Sequence, residues 1–558
     1  MSVKSPLVRG YKTCMIIALA QINPLVGDIS GNVAKAIDAI GRAEDAGADL
    51  VIFGELSVVG YPPRDLLKKE GFVADSMHAV EELARRCRRI AAAVGFARLT
   101  PGVMGRPLQN CAALLANGRV QHVHVKALLP TYDVFDETRY FQSGPTPQCF
   151  GVAGRKVGIT VCEDLWDPAS LGRNLYRDDP VQALIGQGAE IIVNMAASPF
   201  EAGKASRREE LFKRRTCSSA AMLVFVNQVG GNDELVFDGA SCVVSPAGEV
   251  IARAASFAED LLIVDTESSE GRCEPLADRS ASLSAALTLG LKDYLRKCGF
   301  QSAVLGLSGG IDSAVVAALA ADAIGPENVY AVAMPSRYSS PGSLSDAEKL
   351  AGNLGINYRV VPIEPVHCAF EAQLGDTFAG KGGQIAGENI QARIRGNMIM
   401  AISNADGHLA LATGNKSELA TGYCTLYGDM CGGIAPIGDL LKTDVYALAE
   451  QMNVEAGSER ICRSIIDKPP TAELKPDQLD QDKLPPYDVL DSILSGYIER
   501  DMTAEQIVAT GLAADTVGKV IAMVDRAEYK RKQAAPVLKV TPRAFGTGRR
   551  MPIAQRYR

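Results

Sequence analysis

Residues 304 to 313 read Val-Leu-Gly-Leu-Ser-Gly-Gly-Ile-Asp-Ser. The apolar run from Ala303 to Leu307 predicts a buried strand. Ser308-Gly309-Gly310 predicts a small-residue turn, and the Ala- and Val-rich stretch 314 to 323 a helix opened by Asp312-Ser313. Strand, glycine turn and helix start is the geometry that aims backbone N–H groups at an anion. Two glycines let the main chain approach a phosphate with no Cβ in the way. Asp312 puts a carboxylate beside that anion, which calls for a divalent cation between the two, ordinarily Mg²⁺.

Rival readings of this turn fail on missing residues. The mononucleotide P-loop needs a Lys that the turn lacks. Gly306-Leu307-Ser308-Gly309-Gly310 fits G-x-S-x-G, but a nucleophile elbow needs a later His, and only His367 and His408 lie downstream. His408 sits in a polar turn before an apolar run. A plain glycine turn would not require Asp-Ser at the helix start. Further strands are expected at 329–334, 357–363 and 408–412 with helical segments between them. That alternation predicts a parallel sheet with its chemistry at the strand carboxyl ends.

At 558 residues the chain should hold two or more domains. Apolar content of 47% and charged content of 22% fit a soluble globular protein. A net charge of −7 argues against nucleic acid as a partner. Thirteen Cys, an odd number without C-x-x-C pairs, fit a reducing, cytoplasmic location. The run Met15 to Ala20 is too short for a signal segment or a membrane span and reads as a first strand. No other uncharged run reaches membrane length, so no membrane association is expected. The pattern breaks at Ser268-Ser269-Glu270-Gly271-Arg272, before a helix-like segment 281–297. We therefore expect a first domain at 12–267, a linker at 268–285 and a second domain at 286–558.

The first half alternates strand candidates (49–53, 110–116, 156–162, 190–195, 222–228) with helix candidates at 31–46 and 76–94. Three strand ends carry chemistry: Glu55 before Gly60-Tyr61-Pro62-Pro63, Lys126 closing His122-Val123-His124-Val125, and Cys162 after Gly158-Ile159-Thr160-Val161. A strand end can face a side chain into a pocket while its backbone stays rigid. A thiol that becomes thiolate attacks an amide carbonyl. A carboxylate takes its proton and returns it to the leaving nitrogen. An ammonium offsets the tetrahedral oxyanion. His122 and His124 have no third ligand nearby and are not read as a zinc pair.

Taken together, Glu55, Lys126 and Cys162 resemble the Glu-Lys-Cys triad of the nitrilase superfamily over about residues 12 to 265, with Gly54 where that superfamily often has Pro. The resemblance implies an α-β-β-α sandwich and suggests that Glu137 orients Lys126. In amidotransferase members, positions matching Tyr132, Ser198 and Lys204 hold glutamine.

The second half resembles the PP-loop ATP pyrophosphatases, which imply a Rossmann-like parallel sheet. Ser336-Arg337-Tyr338-Ser339-Ser340, Glu388-Asn389-Ile390-Gln391-Ala392-Arg393 and Thr413-Gly414-Asn415-Lys416-Ser417-Glu418 follow in order. With the front half, the chain is similar nearly end to end to the glutamine-dependent NAD⁺ synthetases. That resemblance implies an α/β protein of two domains that uses L-glutamine, ATP as co-substrate, deamido-NAD⁺ and Mg²⁺, as a homo-oligomer. It further implies that Gly306, Leu307, Ser308, Gly309, Gly310, Ile311, Asp312, Ser313, Thr413, Lys442 and Thr471 contact ATP. Asp312 and Glu418 would ligate Mg²⁺, and Asn389, Arg393, Glu418 and Lys530 would contact deamido-NAD⁺. Leu426 stands where some ammonia-only relatives have Lys. The Pro-, Asp- and Lys-rich stretch 464–491 reads as a surface loop, or by resemblance a lid over ATP. The last 29 residues hold nine Lys or Arg and no Asp or Glu. This composition alone suggests a disordered tail, against which Pro542, Phe545, Met551 and Ile553 stand as apolar anchors.

Overall fold

The computed structural model describes residues 14–102, 104–380 and 382–557. The expected domain limits at 12 and 558 fall outside them. The chain divides into two compact units, one of residues up to Asn232 with Val236–Ala277, the other of Asp233–Leu235 with Asp278–Arg558.

Unit 1 is built on two six-stranded sheets. The first runs in the spatial order Asp260–Asp265, Ile16–Gln21, Leu50–Ile52, Ala91–Leu99, Leu108–Ala116, Arg119–Val125. The second runs Val250–Arg253, Cys242–Val244, Met222–Asn227, Ile191–Ala196, Arg155–Val161, Cys149–Val152. Ile17, Leu19, Ile52 and Leu114 of the first share one core with Val157, Ile159, Val193 and Val224 of the second. The outer faces are buried too, under helices Ile29–Asp45 and Glu70–Arg86 on one side and Pro180–Gly186 and Lys204–Cys217 on the other. Strands covered on both faces need no polar alternation, hence their near-continuous apolar runs. The result is the α-β-β-α sandwich.

The expected helix 76–94 needs correction. The helix is Glu70–Arg86, and Ala91-Ala92-Ala93 pair in parallel with Leu50-Val51-Ile52 inside the first sheet. Alanine prefers a helix, but that preference is small against the ladder and burial offered by two neighbouring strands.

Unit 2 carries a four-stranded parallel sheet in the order Asn357–Val360, Val329–Ala333, Ala303–Gly306, Leu409–Leu411. Helix Ile311–Ile324 packs on this sheet and against helices Arg279–Cys298 and Lys442–Ala456. It is buried almost all round, which its Ala/Val sequence without a polar face allows. The helix that opens this unit starts at Arg279, capped by Asp278, inside the stretch 268–285 read as a linker. The chain runs outward from Ala303–Gly306 through Val329–Ala333 to Asn357–Val360 and then crosses to Leu409–Leu411 on the other side of Ala303–Gly306, so the crevice between the carboxyl ends of those two strands is a topological switch point.

The stretch 464–491 is not loop throughout, because helices Arg463–Asp467 and Tyr487–Leu494 occupy its ends. Nor is the basic tail loose. Val537, Leu538, Val540 and Phe545 are buried. Of the four anchors named from sequence, Phe545 is buried, Met551 half-buried, and Pro542 and Ile553 exposed. No helix among the described residues is long and apolar enough to cross a membrane.

Candidate active sites

In unit 1 three strand ends converge. Glu55 lies in the turn after Leu50–Ile52, and Gly95 on the next strand lets that turn in. A Cβ there would lie 2.3 Å from Leu56 N, so only glycine allows the approach. Lys126 follows Arg119–Val125, its N–H donating to Asn110 O at 2.9 Å. Cys162 follows Arg155–Val161 with a φ of 41°, a left-handed elbow that lifts the thiol out of the strand path.

Lys126 Nζ donates to Glu55 Oε1 at 2.7 Å and to Glu137 Oε1 at 2.8 Å, and all three side chains are buried. One ammonium thus sits between two carboxylates. Burial pushes Glu137 up to about 7 against the pull of Lys126. Burial, and then the negative charge of Glu55, also hold the Cys162 thiol well above its usual range although Lys126 pulls it down. The resting thiol is therefore neutral. Glu55 Oε2 is buried and has no hydrogen-bond partner among the described residues, which suits it to receive a proton.

Tyr132 and Lys204 flank a residue absent from the sequence reading. Glu163 accepts Tyr132 Oη at 2.9 Å and Tyr176 Oη at 2.8 Å, and Lys204 lies in its electrostatic field. Lys204 Nζ donates to Pro199 O and lies over the Trp166 ring. Ser198 is buried, its N–H held by Asn227 Oδ1 at 2.8 Å. Tyr61, which donates to Glu137 Oε1 at 3.0 Å, was missed as well. His124 meets buried Asp164 at 3.1 Å, a contact that braces the elbow.

In unit 2 the glycine turn opens helix Ile311–Ile324 at Gly310, and among the described residues no side chain caps it. Its first N–H groups are left for an anion. Gly306, Leu307, Ser308, Gly310, Ile311, Asp312, Ser313, Thr413, Glu418, Lys442 and Thr471 border one cavity of about 320 Å³. Gly309 lies outside its lining. It has a φ of +76°, and a Cβ there would stand 2.1 Å from Ser343 O. Its place in the turn requires glycine.

Asp312 pairs with Lys442 and accepts Asn415 Nδ2 at 2.9 Å, while Lys442 Nζ lies 3.9 Å from Glu418. Burial, then the charge of Asp312, raises Glu418 well above the usual carboxylate range. Two crowded carboxylates beside a phosphate-type helix start suit Mg²⁺, which takes one or two protein carboxylates and fills its shell from substrate phosphates. Asn415, unassigned from sequence, holds both by capping the helix of Glu418 and bonding Asp312.

Asn389, Arg393 and Lys530 lie outside the cavity lining and gather on the loop 422–426. Asn389 accepts Thr425 Oγ1 at 2.9 Å. Arg393 donates to Leu426 O at 3.2 Å, and Lys530 to Gly422 O and Cys424 O at 2.7 Å each. Residues 468–474 border the cavity. They are latched by Glu473, which accepts Ser340 Oγ at 2.9 Å and Ser343 Oγ at 2.6 Å.

Comparison with known proteins matches each unit to a family. Carbon-nitrogen hydrolase matches residues 16–272, and NAD synthase matches residues 283–534. A glutamine-dependent NAD(+) synthetase of Synechocystis sp. is 46% identical over 555 residues, covering 97% of this chain and 99% of that one. Its counterpart from Thermotoga maritima is 42% identical with the same coverage. The solved structure of the Acinetobacter baumannii glutamine-dependent NAD⁺ synthetase in complex with ADP superposes with a TM-score of 0.77 at 38% identity, covering 97% of this chain and 98% of that one. With both units matched in order and identity sustained nearly end to end, the chain belongs to the glutamine-dependent NAD⁺ synthetase family.

Proposed function

We propose that this chain converts deamido-NAD⁺ to NAD⁺, using ATP and ammonia taken from L-glutamine and releasing AMP, pyrophosphate and glutamate. The observation that carries this reading is the division of chemistry: Cys162 in the electrostatic field of a Glu55–Lys126 pair in one unit, and an uncapped helix start beside Asp312 in the other. Family membership supports it. Residues 12–267 act as the amidohydrolase and 286–558, led in by helix Arg279–Cys298, as the synthetase.

In the amidohydrolase, Cys162 attacks the glutamine side-chain amide and Glu55 takes the thiol proton. Lys126 offsets the oxyanion, a contribution of about 3 kcal/mol. Glu55 returns the proton to the leaving nitrogen, ammonia departs, and water hydrolyses the thioester to glutamate. Glu163, with Tyr132 beside it, accepts the α-ammonium group of glutamine, while Ser198 and Lys204 serve its α-carboxylate.

In the synthetase, Gly306 to Ser313, Thr413, Lys442 and Thr471 hold ATP. Asn389, Arg393, Glu418 and Lys530 hold deamido-NAD⁺. The nicotinate carboxylate attacks the α-phosphate, pyrophosphate leaves, and ammonia displaces AMP from the acyl-adenylate. Asp312 and Glu418 would hold Mg²⁺, which offsets phosphate charge when bound. Ammonia in neutral water is mostly ammonium, which is not nucleophilic, so its transfer should be sheltered from bulk solvent. The protein acts in the cytoplasm as a homo-oligomer, with small molecules rather than nucleic acid or membrane as partners.

The test is Cys162→Ala. It should lose glutamine-driven NAD⁺ formation by orders of magnitude and keep formation from ammonium at raised pH. Retained use of glutamine would remove Cys162 as nucleophile. Failure with both nitrogen sources in a folded protein would refute the division of labour.

A further inference from the structure

Two donors meet one oxygen of Glu55. Lys126 Nζ and Asn110 Nδ2 each lie 2.7 Å from Oε1, while Oε2 has no hydrogen-bond partner among the described residues. An ammonium carries three donors on a freely rotating head, so Lys126 alone would follow either carboxylate oxygen. A planar amide on a rigid strand has a fixed donor direction. Asn110 sits in strand Leu108–Ala116, and its own carbonyl accepts the Lys126 N–H at 2.9 Å. One residue therefore sets Glu55 and Lys126 against each other. The amide orientation follows from the network, since the reverse flip would place an oxygen against Glu55 Oε1.

Asn110 does not look like a filler of the core. It is fully buried, and its Oδ1 is without a hydrogen-bond partner among the described residues. An unmade buried acceptor keeps its desolvation penalty, which an apolar residue would avoid. Such exceptions call for a specific reason.

We infer that Asn110 is a positioning residue, which turns Glu55 so that Oε2 is the oxygen that receives the Cys162 proton. This rests on the amidohydrolase reading above. The step balances. The S–H proton passes to Oε2 as sulfur bonds the amide carbon. The same proton then passes to nitrogen as the C–N bond breaks, and Glu55 ends as it began. Without the amide, the carboxylate spends its time in orientations that turn Oε2 away.

Asn110→Leu, close in volume but without the donor, should lower kcat for glutamine hydrolysis by about tenfold or more, with KM within about twofold. Ammonium-driven NAD⁺ formation should stay at wild type. Asn110→Asp adds a signature that a packing role would not produce. Its carboxyl can donate only when protonated, so its activity relative to wild type should rise as pH falls from about 8 to 6. A wild-type kcat in Asn110→Leu, or a pH-independent ratio in Asn110→Asp, would overturn the inference. If leucine is not accommodated, the aspartate variant decides alone. Cys162→Ala is run in parallel. If that variant still hydrolyses glutamine, the amidohydrolase reading itself fails, whereas a dead Cys162→Ala beside a normal Asn110→Leu rejects only the role of Asn110.

Discussion

At the scale of the residue, burial decides what each charge can do. Lys126 stands between the buried carboxyl groups of Glu55 and Glu137, so two acids share one ammonium away from water. Burial and the negative charge of Glu55 raise the Cys162 thiol, so at neutral pH the sulfur holds its proton until substrate arrives. The difference in thiolate absorbance near 240 nm between wild type and Cys162→Ala should therefore be negligible at about pH 7 and grow only in alkali. A full thiolate signal at neutrality would contradict this. Asp312 is the matching residue in the synthetase unit, with Lys442 and Asn415 on its two oxygens. Asp312→Asn keeps the shape and removes the charge. Synthesis from glutamine and from ammonium should both be lost, read as absent pyrophosphate release even at saturating Mg²⁺.

At the scale of the element, the glycine turn before helix Ile311–Ile324 depends on backbone that most residues cannot adopt. Gly309 combines a left-handed φ of +76° with contact against Ser343 of the helix Pro341–Leu354. Gly309→Ala must bear about 1–2 kcal/mol for the backbone alone, before the clash with a main-chain oxygen is counted. The turn has to shift, and the N–H groups of helix Ile311–Ile324 shift with it. Urea unfolding should show the loss, and pyrophosphate release should fall while glutamine hydrolysis persists. Normal pyrophosphate release would mean the turn tolerates the change.

At the scale of the whole molecule, the tail returns to brace the synthetase site. Buried Asp439 accepts the N–H groups of Val540 and Thr541 at 2.8 Å each and pairs with buried Lys416 at 3.0 Å. Lys416 belongs to the Thr413–Glu418 segment, yet its ammonium is spent on Asp439, Glu499 and the tail rather than on the cavity. Asp439→Ala should destabilise unit 2 by about 3–5 kcal/mol, because it strips a buried ion pair and two backbone donors. Limited proteolysis should then cut within 532–558 while wild type resists. An intact tail in the variant would show that apolar anchors such as Leu538 and Phe545 suffice.

Local chemistry is legible in the sequence where one residue type is required at one place. The Ser308–Ser313 turn and the strands beside it are of this kind, because the backbone at Gly309 takes only glycine, and the Glu55, Lys126 and Cys162 strand ends stand out because an acid, an ammonium and a thiol each follow an apolar strand. Periodicity also marks the parallel sheet, since each buried strand must be apolar. Only the tertiary structure decides what depends on partners distant in the chain. Ala91 to Val94 read as helix and become strand because Leu50–Ile52 and Leu108–Ala116 pair on either side. Asn110, Glu163 and Asn415 look like ordinary polar residues until folding brings them to Glu55, Tyr132 and Asp312. The basic tail reads as solvated because its charges are visible in sequence, while the carboxylate of Asp439 that orders it lies about a hundred residues away. A hydrogen bond is fixed by direction in space, and sequence separation carries no trace of it.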